Sequence, residues 1–163
     1  MSDDKLVRVH LEQQEGFSFL VRFDETQTEA LLTDESAPLG KGAGPNPSQL
    51  LLAALANCLS ASLLFALRKF HNQPGRLRAE AVTRLERDPA GRWRIPKAWV
   101  ELHLAEGAEQ HQQLPRILEQ FEQFCIVTQS VRAGIDVAVT VKDAQGRLLL
   151  GDKRFESGSP ADA

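Results

Sequence analysis

Between residues 46 and 69 the chain carries the segment NPSQLLLAALANCLSASLLFALRK. Its first residues combine the start signals of a helix, because Asn46 suits the N-cap, Pro47 suits the first helical position, and Gln49 can complete a capping box. Apolar residues then follow on nearly every side of such a helix, as far as Leu67. The segment therefore predicts one long helix that is buried all round.

A membrane-spanning helix is the alternative, since about 18 apolar residues is the lower limit for crossing a bilayer. We reject it because the segment is rich in Ala and Ser, Asn57 stands at its centre, and the flanking sequence has the amphipathic patterns of soluble structure. A chain of 163 residues is too short to cover so apolar a helix by itself. This predicts that a second copy of the chain shares the helix in a homodimer.

The length and composition of the chain are those of one globular domain. We predict a single domain over residues 1–163, with its core at about 7–151 and a frayed tail at 156–163. The net charge of −3, without a lysine or arginine run, disfavours nucleic acid as a partner. The N-terminus is polar and acidic and has no signal-peptide pattern, so we expect a cytoplasmic protein that does not associate with membranes.

Alternation and turn signals predict an α+β fold made mainly of hairpins and two helical regions. The first hairpin turns at Glu15 and Gly16 and has one apolar face, and the second turns at residues 88–91. In chain order we predict strands at 7–11, 17–23 and 26–33, a loop at 34–46, the long helix, strands at 77–87 and 92–104, helices at 108–124 and 126–132, and strands at 135–141 and 147–150.

Two cysteines are the candidates for chemistry. Cys58 lies mid-helix, where a cysteine by default acts as a small hydrophobic residue. Cys125 directly precedes the predicted short helix, whose unpaired N–H groups are expected to stabilise a thiolate and lower its pKa. The four histidines are scattered without metal-ligand spacing, and the glycines of residues 40–44 match no phosphate-binding motif, so we predict neither a metal nor a nucleotide.

Two segments resemble the cysteine motifs of the OsmC/Ohr family: PSQLLLAALANC at residues 47–58 and FCIVTQSV at 124–131. The resemblance extends over residues 7–151, because the order of strands and helices around the motifs also agrees. It implies an OsmC-like α+β fold in which antiparallel sheets wrap around a central buried helix in an intertwined homodimer. It also implies an active site at the subunit interface.

The resemblance further implies a thiol-dependent peroxidase of the oxidative or osmotic stress response. In that cycle Cys58 attacks an organic hydroperoxide as a thiolate and becomes a sulfenic acid, and Cys125 resolves it to an intramolecular disulfide. The family's reductants are dithiols, including dihydrolipoamide-bearing proteins. The cycle requires no metal, haem or flavin.

The chain departs from the family's peroxidases in the groups that support the thiolate. Where they carry a glutamate at the start of the helix, this chain has Ser48, and the neighbouring Gln49 has no charge. The arginine expected from the N-terminal strands is missing at residues 13–15, so Arg22 or Arg8 would have to replace it. Since burial without a cation raises a cysteine pKa, a second hypothesis stays open: a non-peroxidatic OsmC-like dimer that binds a small apolar ligand at the interface.

Overall fold

The structure is a computed structural model that describes residues 7–151. The chain divides into two compact units, with the boundary after Leu51. The single-domain organisation stays a prediction, and the predicted tail at 156–163 lies outside the described residues.

The first unit contains a three-stranded antiparallel sheet in the order β1 (Val9–Gln13), β2 (Phe19–Phe23), β3 (Leu31–Thr33). The predicted hairpin is confirmed, with Gly16 in the left-handed region at φ +57°, whereas β3 is shorter than the predicted strand. The predicted buried face is wrong for the single chain, because β1 is exposed throughout and Val21 is the one buried residue of β2. A three-stranded sheet in so small a unit has too little chain to cover its own apolar face.

The long helix α1 covers Pro47–Lys69, as predicted. Its leucines at every fourth position form one fully buried row: Leu55, Leu59, Leu63 and Leu67. Ala54, Asn57, Ala61 and Phe65 are exposed on another side, and only 28% of its apolar stretch is buried. Burial all round is therefore not found within one chain, which supplies packing for one side only. By length and composition α1 is also sufficient to cross a membrane, a criterion that core helices of soluble proteins meet too.

The second unit contains a four-stranded sheet and a two-stranded ribbon. The sheet has the order β4 (Arg78–Thr83), β7 (Lys97–His103), β8 (Asp136–Lys142), β9 (Leu148–Leu150), and β5 (Glu86–Arg87) pairs with β6 (Trp93–Arg94) in the ribbon. The predicted second hairpin is confirmed, with its turn closed by the N–H of Gly91 and the carbonyl of Asp88 at 2.8 Å.

One pairing differs from the predicted antiparallel arrangement, because β7 and β8 run parallel. Parallel neighbours need a long crossover connection, and here the second helical region provides it. The crossover consists of a 3₁₀ turn (Ala108–Gln110), α2 (Leu114–Gln120), a second 3₁₀ turn (Phe121–Phe124) and α3 (Ile126–Val131).

The predicted single helix at 108–124 is therefore broken, while the short helix after it is confirmed. The break lies at Gln113, whose φ of 57° is left-handed and cannot continue a right-handed helix. Pro115 follows in the first turn of α2, where its missing N–H costs no hydrogen bond. The crossover packs into the core through Ile117 and Phe121, which are 1% and 0% exposed.

Candidate functional site

Cys58 lies near the middle of α1 and is half-buried. On the helix surface it lies between the buried row, represented by Leu55 and Leu59, and the exposed side that carries Asn57 and Ala61. Since residues three or four apart share a helix face, its thiol lies at the edge between core and solvent. A small molecule can therefore reach this side chain from outside the core.

Cys125 is the N-cap residue of α3, between the second 3₁₀ turn and the helix. Its backbone is extended, at φ −82° and ψ 97°, and its carbonyl accepts the N–H of Gln129 at 3.0 Å. The residue is fully buried, although the two side chains next to it, Phe124 and Ile126, are 62% and 79% exposed. The junction between the two helical turns therefore directs the thiol into the core.

The two thiols, from segments far apart in sequence, interact. The Cys58 thiol is among the groups that shift the pKa of Cys125, and both cysteines are free. The Cys125 thiol also donates a hydrogen bond to the hydroxyl of Thr128 at 3.0 Å. Cys58, Cys125 and Thr128 thus form one cluster in which the two thiols are neighbours.

The pKa of Cys125 is raised above the ordinary value of a cysteine. The largest cause is burial, which penalises the thiolate, and the neighbouring Cys58 thiol raises the pKa further. The hydroxyl and the backbone N–H of Thr128 both act in the opposite direction. The start of α3 does favour the thiolate as predicted, but the predicted lowering of the Cys125 pKa is wrong because burial outweighs it.

Gln49, a predicted supporting residue, takes part in the capping box at the start of α1. Its side-chain oxygen accepts the N–H of Asn46 at 2.9 Å, and its own N–H donates to the side chain of Asn46 at 2.9 Å. The capping box is therefore confirmed. It places Gln49 on the same helix as Cys58, about two and a half turns away.

Arg22, the other predicted supporting residue, lies on β2 and pairs with Glu12 across the hairpin at 3.5 Å. Arg8, the alternative cation, lies 3.9 Å from the carboxylate of Asp24. All four side chains are at least one-third exposed. Each guanidinium thus has a carboxylate partner within its own hairpin.

The sequence interpretation did not identify Thr128. It is fully buried and supplies the one side-chain hydroxyl that bonds to Cys125 within residues 7–151. Its position three residues after the N-cap was an available signal, since side chains at N-cap and N3 face one another in the first turn of a helix.

No group of three or more His, Cys, Asp or Glu side chains within residues 7–151 is arranged to hold a metal ion. The cluster of Cys58, Cys125 and Thr128 offers thiol, hydroxyl and backbone N–H groups. The two thiols can carry out nucleophilic attack on sulfur or oxygen and can form a disulfide, while the hydroxyl and the N–H can donate hydrogen bonds to a thiolate.

A sequence profile described as OsmC-like protein matches residues 40–140, more than half of the chain. The chain belongs to the OsmC-like family. The matched residues include both cysteines and Thr128, so the whole cluster lies within the part of the chain that the OsmC-like profile covers. No curated protein matches the chain.

Solved structures similar to this OsmC-like chain show the same fold. An OsmC-like protein from Mycoplasma pneumoniae has a TM-score of 0.68 at 15% identity, over 86% of this chain and 98% of its own. An organic hydroperoxide resistance protein from Elizabethkingia anophelis has a TM-score of 0.67 at 16% identity, over 88% of this chain and 99% of its own. An organic hydroperoxide resistance protein OsmC from Legionella pneumophila has a TM-score of 0.63 at 14% identity, over 84% of this chain and 96% of its own. The predicted OsmC-like α+β fold is thereby confirmed.

Proposed function

We propose that this protein is a thiol-dependent peroxidase that reduces organic hydroperoxides in a stress response. The observation that carries the proposal is the interaction of a half-buried thiol, Cys58, with a fully buried one, Cys125. Membership of the OsmC-like family and the fold shared with organic hydroperoxide resistance proteins support it.

Cys58 is the residue that reacts with the peroxide, because it is the more accessible of the two. Its thiolate attacks the terminal oxygen of the hydroperoxide, the O–O bond breaks, and the alkoxide leaves and takes up the proton that the Cys58 thiol released, which gives the alcohol. Cys58 is thereby oxidised to a sulfenic acid. The edge position of this thiol on α1 allows the apolar part of an organic hydroperoxide to lie against the helix.

Cys125 resolves the sulfenic acid. Its sulfur attacks the sulfur of Cys58, the S–S bond forms and the S–O bond breaks. The hydroxyl leaves with the Cys125 proton as water. A dithiol, such as a dihydrolipoamide-bearing protein, then reduces the disulfide by thiol–disulfide exchange and is itself oxidised. Every step uses sulfur chemistry alone, without metal, haem or flavin.

We place this site in a cytoplasmic homodimer. The side of α1 next to Cys58 exposes Ala54, Ala61 and Phe65, of which Phe65 is 64% exposed. The first hairpin exposes further large apolar residues, including Leu11 at 62%. An exposed apolar strip along one side of a helix is typical of a protein–protein interface. A second copy that covers α1 would also enclose the mouth of the Cys58 site.

An OsmC-like dimer that binds a small apolar ligand at its interface is the second candidate. The observation that favours it is that the residues expected to support a thiolate have other partners: Gln49 caps α1, and Arg22 pairs with Glu12. A site whose expected supporting side chains are engaged elsewhere suits a neutral ligand better than a thiolate.

The test is a thiol count and an intact mass before and after one equivalent of cumene hydroperoxide. We expect the wild type to lose two thiols and the mass of two hydrogen atoms. Cys125→Ser is expected to accumulate a sulfenic acid on Cys58, trapped with dimedone, while Cys58→Ser stays reduced. Two thiols that survive excess peroxide in the wild type overturn the peroxidase and favour the ligand-binding dimer.

A further inference from the structure

We propose that Thr128 is the positioning residue of the resolving step: its hydroxyl holds the Cys125 sulfur and, once that sulfur loses its proton, turns to donate a hydrogen bond to the thiolate. This inference rests on the proposed two-cysteine cycle. It assigns a role to a residue outside the cysteine pair and defines what sets the rate of disulfide formation.

The geometry of the first turn of α3 supports this role. The Cys125 thiol donates to the Thr128 hydroxyl at 3.0 Å, and the backbone N–H of Thr128 also favours the thiolate. Both residues are 0% exposed, so water does not compete for these bonds. The next turn fixes Thr128 in place, because its carbonyl accepts the N–H of Arg132 at 3.1 Å.

A hydroxyl suits this position because it can both accept and donate. It accepts the S–H of the resting thiol and, after rotation about its C–O bond, donates to the thiolate. Hydrogen bonds to a charged group are stronger than those to a neutral one. Thr128 therefore stabilises the reactive form of Cys125 more than the resting form, in a site where burial disfavours the charge.

The role of Thr128 has a defined place in the reaction. Before Cys125 can attack the Cys58 sulfenic acid, its S–H bond must weaken, and the proton must reach the departing hydroxyl to form water. The Thr128 hydroxyl compensates for the negative charge that develops on the Cys125 sulfur at that point. It transfers no proton and forms no covalent bond.

The experiment compares Thr128→Val, which keeps the shape and removes the hydroxyl, with Thr128→Ser, which keeps the hydroxyl. Stopped-flow oxidation by cumene hydroperoxide gives the rates of sulfenic acid formation and disulfide formation. We expect the rate of disulfide formation relative to sulfenic acid formation to fall about ten-fold in Thr128→Val at neutral pH. Its pH profile should move to higher pH, and Thr128→Ser should restore most of the rate.

Thr140→Val is the matched control, since Thr140 is 1% exposed but lies on β8 rather than on α3. Equal slowing in Thr128→Val, Thr128→Ser and Thr140→Val would indicate general loss of packing and would overturn the proposal. The proposal would also be overturned if Thr128→Val formed the disulfide at the wild-type rate and with the wild-type pH profile.

A second measurement separates this inference from the peroxidase itself. In a Cys58→Ser background Cys125 is the sole thiol, and its ionisation can be followed by the ultraviolet absorbance of the thiolate. Adding Thr128→Val should raise the Cys125 pKa, and Thr128→Ser should leave it close to the parent. An unchanged pKa in Thr128→Val overturns the role of Thr128. A shifted pKa together with a wild type that is inert to peroxide would overturn the peroxidase and its resolving step, but not the hydrogen bond from Thr128 to the Cys125 sulfur.

Discussion

Cys125 illustrates how burial and local hydrogen bonds compete at a single side chain. The N-cap position of α3 provides hydrogen bonds from Thr128 that favour the thiolate. Burial at 0% exposure, together with the neighbouring Cys58, favours the neutral thiol and outweighs these hydrogen bonds, so the pKa of Cys125 is raised. The resting residue is thus a neutral thiol, which suits the resolving role that we propose for it.

The raised pKa of Cys125 predicts a loss of stability at alkaline pH. The folded state holds this proton more tightly than the unfolded state, whose cysteine pKa is about 8.5. Between that value and the higher folded pKa the folded protein binds more protons, so the free energy of unfolding falls as pH rises through this window. Below about pH 8.5 the Cys125 thiol is protonated in both the folded and the unfolded state, so this loss of stability does not occur.

Urea unfolding of the reduced protein at a series of pH values tests this effect. We expect Cys125→Ala to be less stable than the wild type at neutral pH, because it leaves a small cavity, but to lose less stability above about pH 8.5. Cys58→Ala serves as the control with the Cys125 thiol retained. The same alkaline slope in Cys125→Ala and wild type would contradict the prediction.

The sequence indicated both cysteines but not their environment. Cys58 and Cys125 stand out as the two cysteines of the chain, and the family motifs pair them. Thr128 was not identified because its position three residues after Cys125 becomes a signal only when Cys125 is taken as the N-cap of α3. Whether burial or the helix start dominates a pKa depends on packing between distant segments, which no local pattern reveals.

The start of α1 depends on local hydrogen bonds, and its capping box gives a second prediction. Asn46→Ala removes the side-chain acceptor for the N–H of Gln49 and should lower the free energy of unfolding by about 1 kcal/mol. Ser48→Ala is the matched control, since it alters the same turn without touching the box. Denaturant midpoints that fall equally in both variants would show that the box contributes little.

The loop before α1 is organised by the carboxylate of Asp34, which is 4% exposed. It accepts backbone N–H groups from Glu35, Lys41 and Ala43 at 2.8, 2.9 and 3.1 Å. The bond from Ala43 is the main cause that lowers the pKa of Asp34. Its stabilising effect is therefore present above the ordinary pKa of an aspartate and is lost as pH falls through the lowered value.

Asp34→Asn tests this arrangement, because an amide nitrogen would face N–H donors in place of one oxygen. We expect hydrogen exchange at Lys41 and Ala43 to accelerate by about ten-fold or more, since each lost bond involves a charged acceptor. Exchange in β7 serves as the internal reference. Unchanged protection at Lys41 and Ala43 would show that the loop is held by other contacts.

Elements with strong local signals were predicted well, and those that depend on distant contacts were not. Asn46 and Gln49 marked the start of α1 because the capping box lies within four residues. The helical periodicity at 108–124 continued through Gln113, where the chain in fact turns. The parallel pairing of β7 with β8 was missed because strand direction depends on the route of the crossover, not on alternation within either strand.

At the scale of the whole molecule, the exposed apolar side of α1 predicts how the protein assembles. Phe65→Glu places a charge in the proposed dimer interface and should weaken dimerisation by about thirty-fold or more. Leu85→Glu is the control, since Leu85 is also exposed, at 46%, but lies between β4 and β5. Sedimentation equilibrium measures the effect, and a wild type that is monomeric at micromolar concentrations would overturn the homodimer.

The parallel pairing of β7 and β8 has a consequence for the newly made chain. During synthesis Cys125 leaves the ribosome before β8, so β7 and β8 cannot yet pair when Cys125 first becomes exposed. Non-local pairings of this kind form slowly. Until β7 and β8 have paired, both cysteines are exposed and can react with oxidants or form disulfides with other chains. Rapid folding of the last strands therefore shortens the time during which the two thiols are exposed to such reactions.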